Sequence, residues 1–510
     1  MARAEKTRNE KEKFDPAKWH RKLITPERYK VHGSSVKDRE IDEEAASDRA
    51  RIIYSSAFRR LQHKTQVFIL SRDAAVRSRL THSLEVASVG RWIAQKVVDS
   101  NLVDAGLDQK SCAALVTLVE TGCLAHDIGN PPFGHFGESA IKEWFRAYWD
   151  RLTAQRQQDP RLERLIEDFL QFDGNPQGTR ILMRLQGRTR DERRLYGMNL
   201  TYSQVLTALK YPRGPLDAQN LWKKPGFFES ERPKVEAAWT HLGFKVQERF
   251  PLAYLVEAAD DISYCVGDME DGIEQRIFDP RQFFDGIKKW VYKKDAPPEL
   301  GELRATVRIC RAGLIGKGGK DAGIAKDLFV TFKTTFTGMM IKEAARQYGD
   351  GGAADIREGR RPELLHETDA NDLLKLLKEI AERFLYPADK VQKPFLAGLK
   401  VTTGILDEYS KFLNLTRDQF GVLRTAWRAA DRKVVKAQRL ETLLPLLDDL
   451  PPHYLDVYDS TVGDKALRQV WGDDNWEWFC RAHLILDYLS GMTDDFAYRT
   501  YQVISGARLD

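Results

Sequence analysis

The stretch VTLVETGCLAHDIGNPPFGHFGE, residues 116–138, carries the reading of this chain. Its first half is an apolar helical run that closes on adjacent His126 and Asp127. Its second half, NPPFGHFG at 130–137, holds two prolines and two glycines and breaks the helical pattern into a loop. Adjacent His and Asp at a helix terminus can reach one cation. Imidazole nitrogen and carboxylate oxygen together suit a borderline or hard divalent metal such as Mn, Fe, Co, Ni or Mg. A lone His-Asp pair is a weak signal, so third and fourth ligands must be sought elsewhere. Only 10 histidines occur in the chain, and His82, His126 and His135 lie near acidic residues within one short stretch.

Working outward, His82 sits in RSRLTHSLEV (77–86), where Thr81 or Ser83 is the expected helix cap and Glu85 falls in the first turn. Further on, Asp260, Tyr264 and Asp268 are spaced i, i+4 and i+8, along one stripe of a helix. An apolar stripe runs beside it at Leu255, Ala259, Ile262, Val266 and Met269. That arrangement suits a polar site carried on a rigid helix. The competing reading is an exposed acidic face, supported by Glu257, Asp261 and Glu270.

Other apolar residues recur with helical period, at Val86, Val89, Ile93 and Val97 and at Leu373, Leu376, Leu377 and Ile380, and the tract 476–501 predicts one or two more helices. Alternating strand patterns are scarce. No β-α-β series and no internal repeat stand out, so the predicted fold is all-α. Two Gly-rich tracts, 313–327 and 348–361, read as loops beside a site or as surface linkers. The first is not a Walker A loop, because no GK[ST] follows at the right spacing.

Composition bounds the function. The chain has 510 residues, a length of about three domains or one large helical body. With 42% hydrophobic residues, 20 Pro and 35 Gly it is neither disordered nor collagen-like. No apolar run reaches about 18 residues, so no membrane span is expected. The N-terminal segment lacks an apolar core, so no secretory signal is expected either. The first 30 residues hold 10 basic and 5 acidic side chains, and the remaining 480 balance. The net +5 therefore resides in an N-terminal arm. It suits a solvated tail, or docking to nucleic acid or a neighbouring subunit. Five scattered cysteines without a C-x-x-C pair suggest a reducing, cytoplasmic home, with Cys112, Cys123 and Cys265 as core residues.

The order His…His-Asp…Asp resembles the HD-domain metal-dependent phosphohydrolases. Its surroundings narrow the resemblance. SDRARIIYSSAFRRLQHKTQVF (47–68), RSRLTHSLEV (77–86), LAHDIGNPPFGHFGE (124–138), FDGNPQG (172–178), EAADDISY (257–264) and SGMTDDFAY (490–498) look like the deoxyguanosine triphosphate triphosphohydrolase family. The resemblance implies an HD helical core extended by further helices into one large body. The division it suggests is a basic arm at 1–45, a catalytic core at 46–290 and a helical region at 291–510 that completes the pocket and oligomer contacts.

It also implies roles. His82, His126, Asp127 and Asp260 match the metal ligands, for one divalent ion per subunit, Mn or Mg first, then Co, Fe or Ni. His135 and Glu138 match a catalytic pair beside the α-phosphate. Arg79 matches a phosphate-gripping arginine, and Gln66 a residue at the sugar and base. Tyr264 and Asp268 match residues near the phosphate and the sugar 3′-hydroxyl, and Asn175 lies near the site. Asp173 stands where many relatives have Glu. Lys223 and Lys224 are candidates for the triphosphate tail, and Asp407 and Arg439 for the base. The implied reaction is hydrolysis of a deoxynucleoside triphosphate, dGTP foremost, to deoxynucleoside and inorganic triphosphate. The alternatives are an HD phosphohydrolase acting on another nucleotide, or a sensor of nucleotide or nucleic acid that keeps the fold. Expected partners are the dNTP substrate, further copies of the chain in a homo-oligomer (a hexamer by resemblance), and single-stranded DNA or a dNTP as activator, with no membrane.

Overall fold

The computed structural model describes residues 14–30, 39–70, 73, 76–155, 158–187, 190–191, 194–219, 221–292, 300–315, 322–351, 353–429, 435–436 and 439–508. Of the basic arm, residues 1–13 and 31–38 lie outside this set, as do 316–321 and 352 of the two Gly-rich tracts. Among the described residues the fold is all-α. The only sheet among the described residues is an antiparallel pair of two-residue strands, Arg190–Asp191 with Arg194–Leu195.

Helix α1 (Pro16–Lys22) is capped by Asp15, whose side chain accepts from the Lys18 N–H, with Pro16 at the first helical position. After α2 (Ile41–Ile53), three long helices form the frame of the site: α3 (Arg79–Val97), α4 (Gln109–Ala125) and α8 (Pro251–Glu274). They pack on one another through the stripes that the sequence periodicity marks. Val86, Ile93 and Val97 of α3 and Leu255, Ala259, Ile262, Val266 and Met269 of α8 are all buried. Full burial of such side chains contributes about 1.5–3 kcal/mol each for the larger ones. A helix bearing that much apolar surface has one face it can present to the site, and the stripe through Asp260 is that face.

The cap of α3 corrects the sequence expectation. The N-cap is Ser78, not Thr81 or Ser83. Ser78 Oγ accepts from the Thr81 N–H, while Thr81 Oγ1 accepts from the Ser78 N–H, at 3.3 and 3.0 Å. Ser78 wins because its partner three residues on is another hydroxyl, which closes a reciprocal capping box. Arg79 and His82 thereby fall inside a rigid helix.

Three further helices flank the frame: α5 (Gly134–Gln155), α6 (Gly174–Arg180) and α7 (Tyr202–Ala208). From the C-terminal half come α9 (Ala322–Arg346), α10 (Asp369–Ile380) and α11 (Asp389–Tyr409), followed by α12 (Asp473–Ser490) and α13 (Asp494–Ile504). The tract 476–501 is thus two helices, broken at Gly491-Met492-Thr493. Helix α10 packs on α8, and α11 packs on both α5 and α13. All five cysteines are buried and free. Among the described residues no helix is long and apolar enough to cross a membrane.

Candidate active site

Helices α3, α4 and α8 bring three side chains together. The ligand atoms of His82, His126 and Asp260 lie within 4.8 Å of one another. His82 Nε2 is 3.3 Å and His126 Nε2 3.5 Å from Asp260 Oδ1. His126 caps the end of α4, where its Nδ1–H donates to the Cys123 carbonyl at 2.7 Å. That bond assigns the tautomer and leaves Nε2 as a lone pair, buried and without a hydrogen-bond partner. A buried, unpartnered imidazole nitrogen aimed at a second imidazole and a carboxylate is the donor set of a divalent-metal site, with the carbonyl as its outer support.

Asp127 stands beside this trio. Its Oδ1 is 3.7 Å from His126 Nε2. Oδ2 accepts from Arg79 Nη1 at 2.9 Å and Oδ1 accepts from Asn130 Nδ2. Burial by itself would lift the Asp127 carboxyl, but Arg79, His126 and His82 outweigh it and hold it at about 2. Asp260 is handled alike. Its burial is outweighed by Lys210, His126 and His82, which keep it well below the usual carboxylate range. Lys210 Nζ donates to Asp260 Oδ2 at 2.8 Å.

The adjoining cavity, about 230 Å³, is lined by residues from eight separate segments. Of the sequence candidates it takes in Gln66, Arg79, His126, Asp127, His135, Glu138, Asn175, Asp260 and Tyr264. His135 Nδ1 meets Glu138 Oε2 at 3.1 Å, and Glu138 Oε1 accepts from the Gly174 N–H at 2.9 Å. Glu138 is buried, while the His135 side chain is 64% exposed to the cavity and solvent. Burial raises the Glu138 carboxyl; His135, Lys224 and the Gly174 amide bring it down to about 2. It is therefore a fixed anion beside a mobile-proton group. Gln66 Oε1 is buried without a partner. Asn175 folds back onto Asp173, the cap of α6.

Asp268 does not line the cavity. It is buried one layer back, accepting from Tyr386 Oη at 2.6 Å, and Tyr386 Oη lies 2.7 Å from Tyr264 Oη. Asp407 accepts from Trp144 Nε1 at 2.7 Å, and Arg439 is exposed with a φ of 58°. Neither lines the cavity, nor does Lys223. The acidic residues of α8 are not a free face, because Glu257 pairs with Arg249, Asp261 with Lys378 and Glu270 with Lys333.

Sequence reasoning misses Lys210, Tyr211 and Lys378, all of which line the cavity. With Lys224, Lys210 and Lys378 complete a pattern in which four of the five carboxylates of the wall have a Lys or Arg partner, while the fifth, Glu138, meets His135. The pairs are Arg79–Asp127 (2.9 Å), Lys210–Asp260 (2.8 Å), Lys224–Asp173 (2.8 Å) and Lys378–Asp261 (3.3 Å). A larger cavity, about 670 Å³, opens near 417–429 and 458–477 and holds none of these residues. The candidate titratable groups converge on the smaller one.

The loop motifs acquire physical reasons here. A Cβ on Gly129 would lie 2.0 Å from the Gly174 carbonyl oxygen and 2.1 Å from the Gly178 nitrogen. The HDIGN and DGNPQG segments therefore cross backbone to backbone. Gly134 has a φ of 59°, and a Cβ there would meet Arg79 Nη2 at 2.5 Å. It turns the chain so that His135 returns toward His126.

Comparison with known proteins agrees with this geometry. A family model described as HD domain matches residues 79–168, which span α3 to the His135–Glu138 pair and beyond. A probable deoxyguanosinetriphosphate triphosphohydrolase of Pseudomonas aeruginosa is 35% identical over 93% of this chain and 95% of its own length. Deoxyguanosinetriphosphate triphosphohydrolases of an Enterobacter species and of Cronobacter sakazakii are each 35% identical over 95% of this chain and 97% of theirs. With an HD domain match, a His-His-Asp cluster that joins His82 and His126 of that domain to Asp260, and likeness along nearly the whole length, this chain belongs to the deoxyguanosinetriphosphate triphosphohydrolase family of HD-domain proteins.

Proposed function

We propose that the protein hydrolyses a deoxynucleoside triphosphate, dGTP foremost, to the deoxynucleoside and inorganic triphosphate. One observation supports this most directly. A His-His-Asp cluster, a His-Glu pair and four cationic side chains converge on one cavity. Few reactions besides transfer of a phosphoryl centre to water need all three.

His82, His126 and Asp260 would hold the divalent ion, with Asp127 as the fourth ligand, and Mn or Mg is the expected metal. When bound, the ion supplies positive charge at the α-phosphate oxygens. The chain's own residues do the rest. Arg79, Lys210, Lys224 and Lys378 receive the phosphates, with Arg79 able to grip two oxygens at once. Water adds to the α-phosphorus as the bond to O5′ breaks. Glu138 holds His135 by Nδ1, which leaves Nε2 to pass a proton to the departing O5′. Because Gly174 fixes the other Glu138 oxygen, the pair is oriented before substrate arrives.

Gln66, whose Oε1 is buried and unpartnered, is placed to accept from a sugar or base donor. The Tyr264 ring, which lines the cavity and is backed by Tyr386 and Asp268, would take the space of a 2′-hydroxyl and so favour deoxyribose. The reading carries a catalytic core at 46–290 that is completed by the 291–510 region, supported by Lys378 of α10 in the cavity wall. It also carries a homo-oligomer, a hexamer in the expected form, and a cytoplasmic location. Each of the four dNTPs and GTP, offered separately with Mn or Mg and resolved by anion exchange, tests the proposal. Deoxyguanosine with intact triphosphate is the expected product pair, absent in His126→Ala. Release of orthophosphate or pyrophosphate instead would refute cleavage of the bond between the α-phosphorus and O5′. Adding single-stranded DNA or a second dNTP tests activation, and light scattering tests the assembly.

A further inference from the structure

The tail motif SGMTDDFAY (490–498) takes no part in the chemistry above, yet its Asp494 is buried against the loop that carries His135. Asp494 Oδ1 accepts from the Phe133 N–H at 2.9 Å. Its Oδ2 accepts from the Thr65 N–H at 3.0 Å and from Thr65 Oγ1 at 2.6 Å. Next to it, buried Lys64 donates through Nζ to the carbonyls of Asn130 and Ser490. One end of the 130–135 loop is thus held by Lys64 and the other by Asp494.

What they hold is a backbone in an unusual conformation, closed on itself only by long bonds such as that from the Gly134 N–H to the Pro131 carbonyl at 3.3 Å. Phe133 and Gly134 are consecutive left-handed residues, with φ of 63° and 59°. An aromatic residue rarely adopts that conformation, and it persists only where surroundings over-determine it. Here the amide is fixed by Asp494. The ring is buried against Gly398 of α11, where a Cβ would lie 2.9 Å from Phe133 Cγ. His135 begins two residues later, and Glu138 one turn after that.

We propose that Asp494, acting with Thr65 and Lys64, is a positioning residue for His135 and Glu138, so that the start of α13 is part of the catalytic apparatus. The proposal rests on the reading of His135 and Glu138 given above. Its chemistry requires a carboxylate. Both oxygens face donors, on opposite sides, and an isosteric amide must turn an NH2 toward one of them. Asp494→Asn therefore releases either the Phe133 amide or Thr65 without changing the volume filled.

The test is a double-mutant cycle on full-length protein, reading kcat, KM for the best dNTP and Mn affinity by equilibrium dialysis. Asp494→Asn is expected to lower kcat about 100-fold, the scale of a misplacement of roughly 1 Å, with KM and Mn affinity within about threefold. His135→Ala is expected to lower kcat by about 10²–10⁴-fold. In that background Asp494→Asn should cost less than about threefold, because the group it positions is gone. A full further loss in the His135→Ala background, or a collapse of Mn affinity, overturns the proposal in favour of a merely structural contact. Should Asp494→Asn not fold, Thr65→Val carries the same expectation and Thr65→Ser restores the rate; equal rates for the two overturn it. Wild-type rates in His135→Ala would remove the catalytic reading itself. The clamp then stands on hydrogen exchange of peptides covering 128–138, expected to speed at least tenfold in Asp494→Asn, and unchanged exchange refutes it.

Discussion

A single methyl group added at Gly129 should separate activity from stability. The Cβ of Gly129→Ala would sit 2.0 Å from the Gly174 carbonyl oxygen and 2.1 Å from the Gly178 nitrogen. Both obstacles are backbone, so no rotamer change relieves them, and ordinary contact, which begins at 3.4 Å, requires a retreat of about 1.4 Å. Overpacking of this kind costs about 1–3 kcal/mol, and a contact against two peptide groups belongs at the upper end. Unfolding entropy near about 2.1 cal/mol/K per residue sums to about 1 kcal/mol/K for 510 residues unfolding as one unit. The cost then appears as a Tm lower by only about 3 °C. The site responds far more. Helix α6 retreats with Gly174, and the 2.9 Å bond from its N–H to Glu138 lengthens beyond hydrogen-bond range. A displacement of that size lowers kcat about 100-fold. Differential scanning calorimetry beside a dNTP turnover assay reads both. Wild-type turnover with an unchanged Tm would refute the crossing geometry, and a Tm drop of tens of degrees would show that the contact belongs to the folding core.

Metal should bind the folded state alone, so Mn at about 100 times its Kd adds about 2.7 kcal/mol, a Tm gain of about 2–3 °C in a chain this long; His126→Ala should abolish the gain, and an identical gain in that variant would place the ion elsewhere. Arg180→Met leaves buried Asp487 and Glu231 without the guanidinium that bridges them, at a cost of about 3–5 kcal/mol visible in urea unfolding. His20 is buried, its Nε2 has no partner, and burial lowers its pKa to about 4 despite the Pro16 carbonyl. The unfolded chain takes up a proton near pH 6.5 that the folded chain refuses until about 4, so the docking of α1 is full above 6.5 and weakens by about 3 kcal/mol as pH falls to 4. Limited proteolysis at 14–23 across that window should show the loss, and His20→Phe should flatten it.

The frame helices were readable because their apolar periods are long and unbroken, as the buried residues of α8 show. His82, His126 and Asp260 were readable for a different reason, since few histidines compete with them. The cap of α3 was not, because Ser78, Thr81 and Ser83 all fit locally and only the reciprocal bond selects Ser78. Lys210 and Lys378 were invisible among 80 basic residues, since nothing in their neighbourhoods marks them and only the fold carries them to Asp260 and Asp261. The bond from Phe133 to Asp494 spans 361 positions, and no local pattern encodes such a pairing.

The paired walls of the cavity have a thermodynamic consequence. Four of the five carboxylates there already own a Lys or Arg counter-charge, so the resting site is close to self-neutralised and offers neither a cation nor an anion an empty field. A polyphosphate can take Arg79 and Lys210 only by leaving Asp127 and Asp260 uncompensated. A dication can take those carboxylates only by leaving the two bases uncompensated. Each ligand thus removes the penalty the other faces. By linkage the factor by which phosphate tightens metal binding equals the factor by which metal tightens phosphate binding. The four ion pairs act as an electrostatic latch that opens for both ligands together and resists either one alone.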